Sequence, residues 1–280
     1  MSFDVSHPEV QDAVQRALAE DIGTGDITTN LCVPAETKAT GHMIARQSLT
    51  LAGVELLPLI FAGCRVALSS QSGDHLQDGD EIAVVQGPAR ALLTGERTAL
   101  NFVQRLSGIA TAAHAYVCAV EGTGCRILDT RKTTPGLRRL EKMAAAAGGA
   151  TNYRIGLFDA VLIKNNHITA AGGVPTALER TRSAGVPVEI EVRTRPELDE
   201  ALTCGATHLL LDNLHPDEAR EWIAHIRAFD KRRATVELSG GITLENARAY
   251  AETGADFLSS GSITHSARAV NINLRLELLR

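Results

Sequence analysis

The sequence predicts an α/β protein with a small N-terminal α+β domain followed by an incomplete parallel α/β barrel. After residue 124, short apolar runs alternate with helical stretches, a pattern typical of a parallel sheet covered by helices. Between residues 38 and 93, shorter apolar runs are broken by Gly and Asp, which indicates β-hairpins around one helix. The barrel has fewer predicted strands than a closed α/β barrel. They span residues 125–128, 160–163, 188–192, 208–211, 235–238 and 256–258.

A capped amphipathic helix is predicted near the N-terminus. Ser6 is followed three positions later by Glu9, with Pro8 in the first turn, which is typical of a capping box. Val10 and Val14 then recur at helical spacing and provide one apolar face.

A second helical region, residues 94–120, contains Gly108, which we interpret as a break between two segments. We place the domain boundary at this glycine. The predicted domains are residues 1–107 and residues 108–280, and the last residues could return to the N-terminal domain.

Composition and charge argue against two classes of protein. The formal net charge of -5 does not fit general nucleic-acid binding, which requires an excess of Lys and Arg. The most apolar stretch, residues 49–64, is too short to cross a bilayer and contains Glu55 and Pro58, so we expect a buried helix there. The N-terminus has no apolar signal segment, and the five cysteines form no C-x-x-C pair. We therefore expect a cytoplasmic protein with reduced thiols.

Polar residues follow every predicted strand of the barrel. In parallel α/β barrels the carboxyl ends of the strands form the active site, so these residues are the first candidates. They supply fixed cations, carboxylates and two Gly-rich turns that could offer backbone N–H groups to a ligand. The candidates after the strands are Asp129-Thr130-Arg131-Lys132, Lys164-Asn165-Asn166-His167, Asp212-Asn213, Ser239-Gly240-Gly241 and Ser260-Gly261-Ser262. Glu191, near the end of the predicted strand 188–192, is added to them.

Positive charge is concentrated in one part of this acidic chain. Residues 126–167 contain 8 cations and 3 carboxylates, which indicates a polyanionic small ligand. We favour binding roles for Arg131, Lys132 and Lys164, because they follow strands. Three further cations lie on a predicted helix, where a solvated helix face explains them equally well. They are Arg138, Arg139 and Lys142.

The two Gly-rich turns follow the last two strands, where many α/β barrels bind a phosphate group. Each turn alone is more often a plain connection. Because the two turns are placed as a pair, a phosphate site explains them as well as plain connections do.

Several short segments occur in an order that is characteristic of one enzyme family. The most specific is Asp129-Thr130-Arg131-Lys132-Thr133-x-Pro135-Gly136. The others are Glu20-Asp21-x4-Asp26-x-Thr28-Thr29, Thr94-Gly95-Glu96-Arg97-x3-Asn101, Leu106-Ser107-Gly108-Ile109-Ala110-Thr111, Ile163-Lys164-x-Asn166-His167, Leu211-Asp212-Asn213, Ser239-Gly240-Gly241 and Thr264-His265-Ser266. From about residue 10 to the C-terminus, the chain thus resembles the quinolinate phosphoribosyltransferases.

The resemblance implies an architecture and a reaction. The fold would be of the type II phosphoribosyltransferase kind, with the small N-terminal domain packed beside the incomplete barrel. The reaction would transfer phosphoribosyl from phosphoribosyl pyrophosphate to quinolinate with decarboxylation, giving nicotinate mononucleotide, pyrophosphate and CO2 in NAD biosynthesis. The protein would form a homodimer or a higher even oligomer, in which Arg97 acts in the partner's site.

The resemblance also assigns site residues. Arg131, Arg154 and Lys164 would bind the quinolinate carboxylates. Lys132, Glu191 and Asp212 would be catalytic, and the two carboxylates would hold Mg2+ through the phosphoribosyl pyrophosphate. Other implied substrate contacts are Thr130, Tyr153, Ser239, Gly240, Gly241, Ser260, Gly261 and Ser262, of which the two turns would bind the 5-phosphate.

One position departs from the family pattern. Many members have His before the Arg of the Asn-x-Arg segment, whereas this chain has Asn152-Tyr153-Arg154. Tyr can donate a hydrogen bond but stays neutral, whereas His can add a positive charge. We therefore expect substrate binding to depend less on pH between about 6 and 7 than in a His-containing relative.

Three alternative functions remain open from the residues. A related phosphoribosyltransferase would use another acceptor in the same barrel. A Schiff-base lyase would use Lys164 as the amine that attacks a carbonyl. A sensor would bind phosphorylated metabolites without catalysis. We interpret His167 and His265 as supporting residues, because His is more often structural than catalytic.

Overall fold

The computed structural model describes residues 3–230 and 234–279. The chain divides into two compact units. Unit 1 comprises Met1–His114, Thr133–Gly149 and Ile263–Arg280. Unit 2 comprises Ala115–Lys132 and Ala150–Ser262. The predicted boundary between residues 107 and 108 stays a prediction.

After the first 88 residues, one or two helices lie between successive strands. Before that point the elements are α1 (Pro8–Ile22), α2 (Ile27–Cys32), β1 (Lys38–Ala45), β2 (Leu49–Thr50), a 3-10 helix (Val54–Leu56), α3 (Leu57–Ile60), β3 (Arg65–Leu68), β4 (His75–Leu76) and β5 (Glu81–Pro88). After it they are α4 (Ala89–Ala119), β6 (Arg126–Leu128), α5 (Arg138–Ala147), β7 (Val161–Ile163), α6 (Asn165–Ala171), α7 (Val174–Thr181), β8 (Val188–Val192), α8 (Arg195–Thr203), β9 (His208–Asp212), α9 (Pro216–Asp230), β10 (Thr235–Ser239), α10 (Ala247–Ala251), β11 (Phe257–Ser259), α11 (Ser262–His265) and β12 (Ile272–Leu278).

Unit 1 is built on an antiparallel sheet in the strand order β12-β1-β5-β3. β12 pairs with β1 from Ala39 opposite Leu278 to Ala45 opposite Ile272, so residues near the C-terminus belong to this unit. A separate two-stranded ladder joins β2 and β4. The short strands and the 3-10 helix confirm the predicted α+β character of this region.

The first helix is confirmed, but its predicted cap is wrong. The N-cap of α1 is His7, whose Nδ1 accepts a hydrogen bond from the Glu9 N–H at 3.2 Å. Ser6 instead donates its N–H and hydroxyl to Asp4 Oδ1. The hydroxyl of Ser6, one residue before the N-cap, is thus already hydrogen-bonded, and the imidazole of His7 takes the role of the cap acceptor.

The predicted break at Gly108 is also wrong, because α4 continues through it. A Cβ at this position would lie 2.1 Å from the Arg268 carbonyl oxygen. Glycine is needed here for the close approach of another backbone segment, and the helix itself is uninterrupted.

Residues 49–64 do not form the single buried helix that we predicted. They contain β2, the 3-10 helix and α3, with Gly53 in a left-handed conformation between strand and helix. Most of the apolar side chains are nonetheless buried, including Leu51, Leu56 and Phe61. The prediction of burial is confirmed. The prediction of a single helix is wrong, because Gly53 permits a turn between the strand and the short helices.

Unit 2 is a six-stranded parallel sheet in the order β6-β11-β10-β9-β8-β7, and all six predicted strands are confirmed. β6 and β7 are the two ends of this order, so the sheet is open. Thr151 extends the β6 end by a parallel bridge to Leu128. The sheet and its helices confirm the predicted α/β class.

The two faces of this sheet differ in polarity. Residues in register on neighbouring parallel strands point to the same side, and the side alternates along each strand. One face is apolar and buried, as a layer beneath helices requires. Its side chains are Ile190, Val192, Leu209, Leu211, Val236, Leu238 and Leu258. The other face carries carboxylates and hydroxyls, namely Glu189, Glu191, Asp212, Glu237, Ser239 and Ser259.

Candidate active site

Two of the predicted catalytic carboxylates meet at the carboxyl ends of neighbouring strands. Glu191 pairs in register with Leu210, two residues before Asp212, so both carboxylates lie on the polar face of the sheet. The Glu191 side chain is 8% exposed and that of Asp212 is 18% exposed. Two carboxylates this close and this buried need a positive charge between them.

Arg193 supplies that charge. Its Nη2 lies 2.6 Å from Glu191 Oε1 and 3.6 Å from Asp212 Oδ2. The contact with Glu191 is an ion pair without hydrogen-bond geometry, because Glu191 Oε1 has no hydrogen-bond partner. Asp212 Oδ2 also accepts a hydrogen bond from the Asn213 side-chain amide at 2.7 Å.

Glu191 and Asp212 face the same cation, Arg193, so their two carboxylates are the residues to consider for a magnesium site. Carboxylate oxygens are suitable ligands for Mg2+, which prefers one or two carboxylates together with substrate phosphates. No group of three or more His, Cys, Asp or Glu that could hold a metal occurs in residues 3–230 and 234–279. The pair therefore fits a magnesium ion that phosphate oxygens also bind.

A second carboxylate pair lies on the same face, two residues nearer the amino ends of the strands. Glu189 of β8 and Glu237 of β10 are 6% and 5% exposed and are hydrogen-bonded to each other. Burial raises the pKa of Glu189, and burial together with the charge of Glu189 raises the pKa of Glu237 well above its ordinary value. Because two close carboxylates cannot both ionise in a buried site, the pair shares a proton.

Tyr153 is hydrogen-bonded to this second pair, through Glu189. Its phenol contacts the Glu189 carboxylate, and burial and the charge of Glu189 raise the pKa of Tyr153 far above its ordinary value. The phenol therefore stays protonated and donates to Glu189. Arg154 and His208 are near enough to Glu189 to favour its charged form.

A fully buried carboxylate fixes the backbone of this segment. Asp129 accepts hydrogen bonds from the Asn152 side-chain amide at 2.6 Å and from the Tyr153 N–H at 2.9 Å. The adjoining loop is closed by Asp159, which accepts the N–H groups of Ile155 and Gly156 at 2.7 and 2.9 Å. These bonds hold Tyr153 at a fixed depth beside the sheet.

The predicted cations of unit 2 follow β6 and β7 or lie between them. Thr130 Oγ1 accepts the Lys132 N–H at 3.1 Å, which orders the turn that carries Arg131. Lys164 directly follows β7, and its N–H donates to His167 Nδ1 at 2.9 Å. Arg154 Nη1 donates to the Ala160 carbonyl at 3.2 Å. His167 thus accepts the N–H of the N-cap residue of α6, and its supporting role stays a prediction.

The two Gly-rich turns are joined to each other. Ser260 Oγ donates to the Ile242 carbonyl, which follows the first turn, at 2.9 Å, and it lies 2.8 Å from Ser262 Oγ. Gly240 has a φ of +90°, and a Cβ there would lie 2.2 Å from Asn213 Oδ1. Gly240 therefore lets the first turn lie against the segment that follows β9.

Four predicted cations belong to unit 1. Arg97 lies exposed on α4. Arg138 donates to Thr133 Oγ1 at 3.0 Å, and Arg139 pairs with Glu9 at 2.8 Å. Lys142 is completely buried on α5, so a solvated helix face was the wrong interpretation for it.

Three site residues were missed from the sequence. Glu189 and Glu237 are acidic residues in strands whose neighbouring side chains are apolar. Because side chains alternate between the two faces of a strand, this pattern could have identified them as residues of the polar face. Arg193 directly follows β8 and could have been found by the rule that selected Lys164, which follows β7.

Comparison with known proteins accounts for nearly the whole chain. A profile of the quinolinate phosphoribosyl transferase N-terminal domain matches residues 26–107, and that of the C-terminal domain matches residues 109–275. The nicotinate-nucleotide pyrophosphorylase [carboxylating] of Mycobacterium leprae is 44% identical over 287 residues, covering 99% of this chain and 100% of the relative. A probable enzyme of the same name from Bacillus subtilis is 38% identical, covering 98% and 96%.

Solved structures agree with these matches. NadC from Streptococcus pyogenes has a TM-score of 0.92 at 33% identity and covers 100% of both chains. The nicotinate-nucleotide pyrophosphorylase from Francisella tularensis has a TM-score of 0.90 at 35% identity, covering 96% of both. Within the described residues, no helix is both long and apolar enough to cross a membrane.

Proposed function

Because the chain belongs to the quinolinate phosphoribosyl transferase family, we propose that it transfers phosphoribosyl from phosphoribosyl pyrophosphate to quinolinate and releases CO2. It is a pentosyltransferase, and its product would be nicotinate mononucleotide for de novo NAD biosynthesis. The observation that carries the proposal is the set of cations and carboxylates at the carboxyl ends of one parallel sheet. Such a site suits two polyanionic substrates that must be held together.

Quinolinate carries two carboxylates, and three cations of unit 2 would bind them. Arg131 and Arg154 offer guanidinium groups that match a carboxylate with two hydrogen bonds, and Lys164 offers a point charge. Thr130 orders the turn that carries Arg131. Tyr153 lies beside Arg154, but because its phenol donates to Glu189, it would contribute to the shape of the acceptor pocket more than to its charge.

The phosphoribosyl donor would bind at the strand ends. The joined turns at residues 239–241 and 260–262 would hold its 5-phosphate with backbone N–H groups. Lys132 would bind the pyrophosphate, and Glu191 and Asp212 would lie beside the ribose. Bound Mg2+ would neutralise charge on the pyrophosphate as it leaves.

The reacting atoms gain charge in a way that these residues can stabilise. As the pyridine nitrogen displaces pyrophosphate, the ribose carbon becomes positively charged, and the carboxylates of Glu191 and Asp212 favour that charge. Lys132 favours the negative charge that develops on the leaving group. The positive charge of the quaternary ring nitrogen then stabilises the electron pair that the breaking bond to the carboxylate leaves on the adjacent ring carbon. CO2 leaves without a base, and the ring carbon takes up a proton from water.

The proposal includes a homodimer in which Arg97 completes the partner's site. Arg97 is exposed and makes no ion pair or side-chain hydrogen bond to any other described residue. Large apolar side chains are exposed as well, Leu31 at 82% and Phe158 at 79%. Such exposure is typical of an interface. We also place the protein in the cytoplasm, where its five cysteines would remain reduced.

The reaction is tested by assaying purified protein with quinolinate, phosphoribosyl pyrophosphate and Mg2+ while following CO2 and nicotinate mononucleotide. The two products should form in equal amounts and be lost in Lys132→Ala. Lys38→Ala, which removes an exposed lysine of β1 in unit 1, is the matched control and should keep full activity. Donor binding without turnover of quinolinate would instead indicate another acceptor.

The role of Arg97 is tested by mixing two inactive variants. In a dimer of Arg97→Ala with Lys132→Ala, one of the two sites would have both wild-type residues if Arg97 acts in trans. Random mixing makes about half of the dimers mixed, so about a quarter of wild-type activity should return. If Arg97 acts within its own subunit, every site keeps one substitution and no activity returns.

A further inference from the structure

The local backbone holds Arg193 beside the carboxylates of Glu191 and Asp212. It directly follows β8, and its N–H donates to Glu197 Oε2 at 2.8 Å. The next residue, Thr194, is the N-cap of α8 and accepts the Glu197 N–H. The Cα of Arg193 is therefore fixed between a strand and a helix, which reduces the conformational freedom that its side chain loses on pairing.

The ion pairs of Arg193 differ from ordinary surface pairs. An exposed pair gains little, because water screens both partners. Here the guanidinium is 48% exposed, but Glu191 and Asp212 are only 8% and 18% exposed. Glu191 Oε1 has no hydrogen-bond donor, so the charge of Arg193 is its compensation among the described residues. Loss of that charge would leave a buried carboxylate uncompensated.

We propose that Arg193 is the resident counter-cation of Glu191 and Asp212 and competes with a divalent cation for these two carboxylates. The inference rests on the proposed function, which assigns both residues to the site of the metal-bound donor. It adds a residue that regulates how strongly that site takes up metal.

The competition follows from the space between the two carboxylates. A magnesium ion lies about 2.1 Å from a carboxylate oxygen that it binds. Arg193 Nη2 already lies 2.6 Å from Glu191 Oε1, so a cation and the guanidinium cannot both face this oxygen from the same side. A divalent cation that binds this oxygen from the same side must therefore displace Arg193, and the free energy of the Arg193 ion pairs opposes that binding in the absence of the donor.

The test is a titration of the free protein with Mn2+, without either substrate, followed by electron paramagnetic resonance. Arg193→Gln should bind Mn2+ about tenfold more tightly than wild type, within the usual range of coupling between two ligands. Arg193→Lys keeps a positive charge on a shorter side chain and should lie between the two. Arg182→Gln, which removes an exposed guanidinium 2.8 Å from Glu179, is the matched control and should equal wild type.

In a protein that already carries Glu191→Gln, Arg193→Gln should no longer raise the affinity for Mn2+. Glu191→Gln removes a carboxylate for which Arg193 and the metal compete. Equal Mn2+ affinity in wild type, Arg193→Gln and Arg193→Lys, or a gain that survives Glu191→Gln, would overturn the proposal. Turnover of quinolinate is measured separately. A protein that shows the Mn2+ difference but no turnover would support the role of Arg193 and refute the proposed reaction.

Discussion

The negative charge of two carboxylate pairs on one face of the same sheet is compensated in different ways. The upper pair, Glu191 and Asp212, lies at the strand ends and faces the guanidinium of Arg193. The lower pair, Glu189 and Glu237, shares a proton and accepts the phenol of Tyr153. The upper pair lies at the strand ends beside a guanidinium, where its carboxylates can favour a cationic transition state. The lower pair gives up part of its charge and serves to position its neighbours.

The largest expected difference is in catalysis. Glu191→Gln removes a charge that we assign to the transition state, so kcat should fall about 100-fold. Glu237→Gln replaces a residue whose pKa burial raises, and an amide mimics the protonated acid, so kcat should fall less than about threefold. Initial rates at saturating substrates, with unfolding curves to check folding, measure both changes. Similar losses in the two variants would show that the pairs do not divide their roles in this way.

The turn beside the upper pair offers a comparison of two glycines. Gly240→Ala should lower the free energy of unfolding by about 2 kcal/mol, because a Cβ would meet Asn213 and the φ is +90°. Gly241→Ala has a φ of +63° but no atom within 4 Å, so strain alone should cost about 1 kcal/mol. Urea unfolding measures both.

Donor affinity is the second measurement on these two variants. Gly240→Ala should raise the KM for phosphoribosyl pyrophosphate more than Gly241→Ala does, because it displaces the turn away from Asn213. Equal stability of the two variants would mean that the contact with Asn213 relaxes without cost.

The lower pair should make stability depend on pH. The folded chain raises the pKa of Glu237 above its ordinary value of 4.5, so the unfolded chain releases this proton first as pH rises. The stabilisation is fully present below about pH 4.5 and is lost as pH rises through the folded pKa, with a slope of up to about 1.4 kcal/mol per pH unit. Arg154 and His208, which face Glu189, and the Ser259 hydroxyl, which bonds to Glu237, oppose the shift.

This slope is measured by urea unfolding at several pH values between 5 and about 7. Wild type should lose stability relative to Glu237→Gln as pH rises, because the amide has no proton to release. Glu200→Gln, an exposed change on α8, serves as the control and should follow wild type. Parallel curves for wild type and Glu237→Gln would mean that the pair does not retain its proton.

Much of this arrangement could be predicted from the sequence because strands and their ends leave local signals. Six apolar runs identified six strands, and the rule that active sites follow strands selected Lys164, Glu191 and Asp212. The same local logic failed at Gly108, because its reason is the Arg268 carbonyl, 160 residues away in sequence. Long-range contacts of this kind leave no periodic signal.

The charge state of the site could not be predicted for the same reason. Glu189 and Glu237 lie on β8 and β10, which are separated by β9 in the sheet. Their side chains come together only once these three strands have paired. Arg193 has the sequence context of a helix start, and its pairing with Asp212 depends on the register of β8 and β9. Residue type and spacing predict which groups face the site, whereas register determines which charges meet.

The smallest expected effect tests whether the lower pair can be made to resemble the upper one. Tyr153→His would place a titratable cation against Glu189, as Arg193 stands against Glu191. With an ordinary pKa near 6.5, the imidazolium fraction falls about threefold between pH 6 and 7, and the KM for quinolinate should rise by about that factor. Wild type should show a flat KM over this range, because burial and Glu189 keep the phenol protonated.

Tyr153→Phe controls for the loss of the hydrogen bond to Glu189 and should also give a flat profile. If the Glu189 carboxylate stabilises the imidazolium, the pH range of the KM change in Tyr153→His will lie higher than that of a free histidine. An equally steep profile in wild type and Tyr153→His would show that another group sets the pH dependence. The neutral Tyr153 would then not be what distinguishes this acceptor pocket.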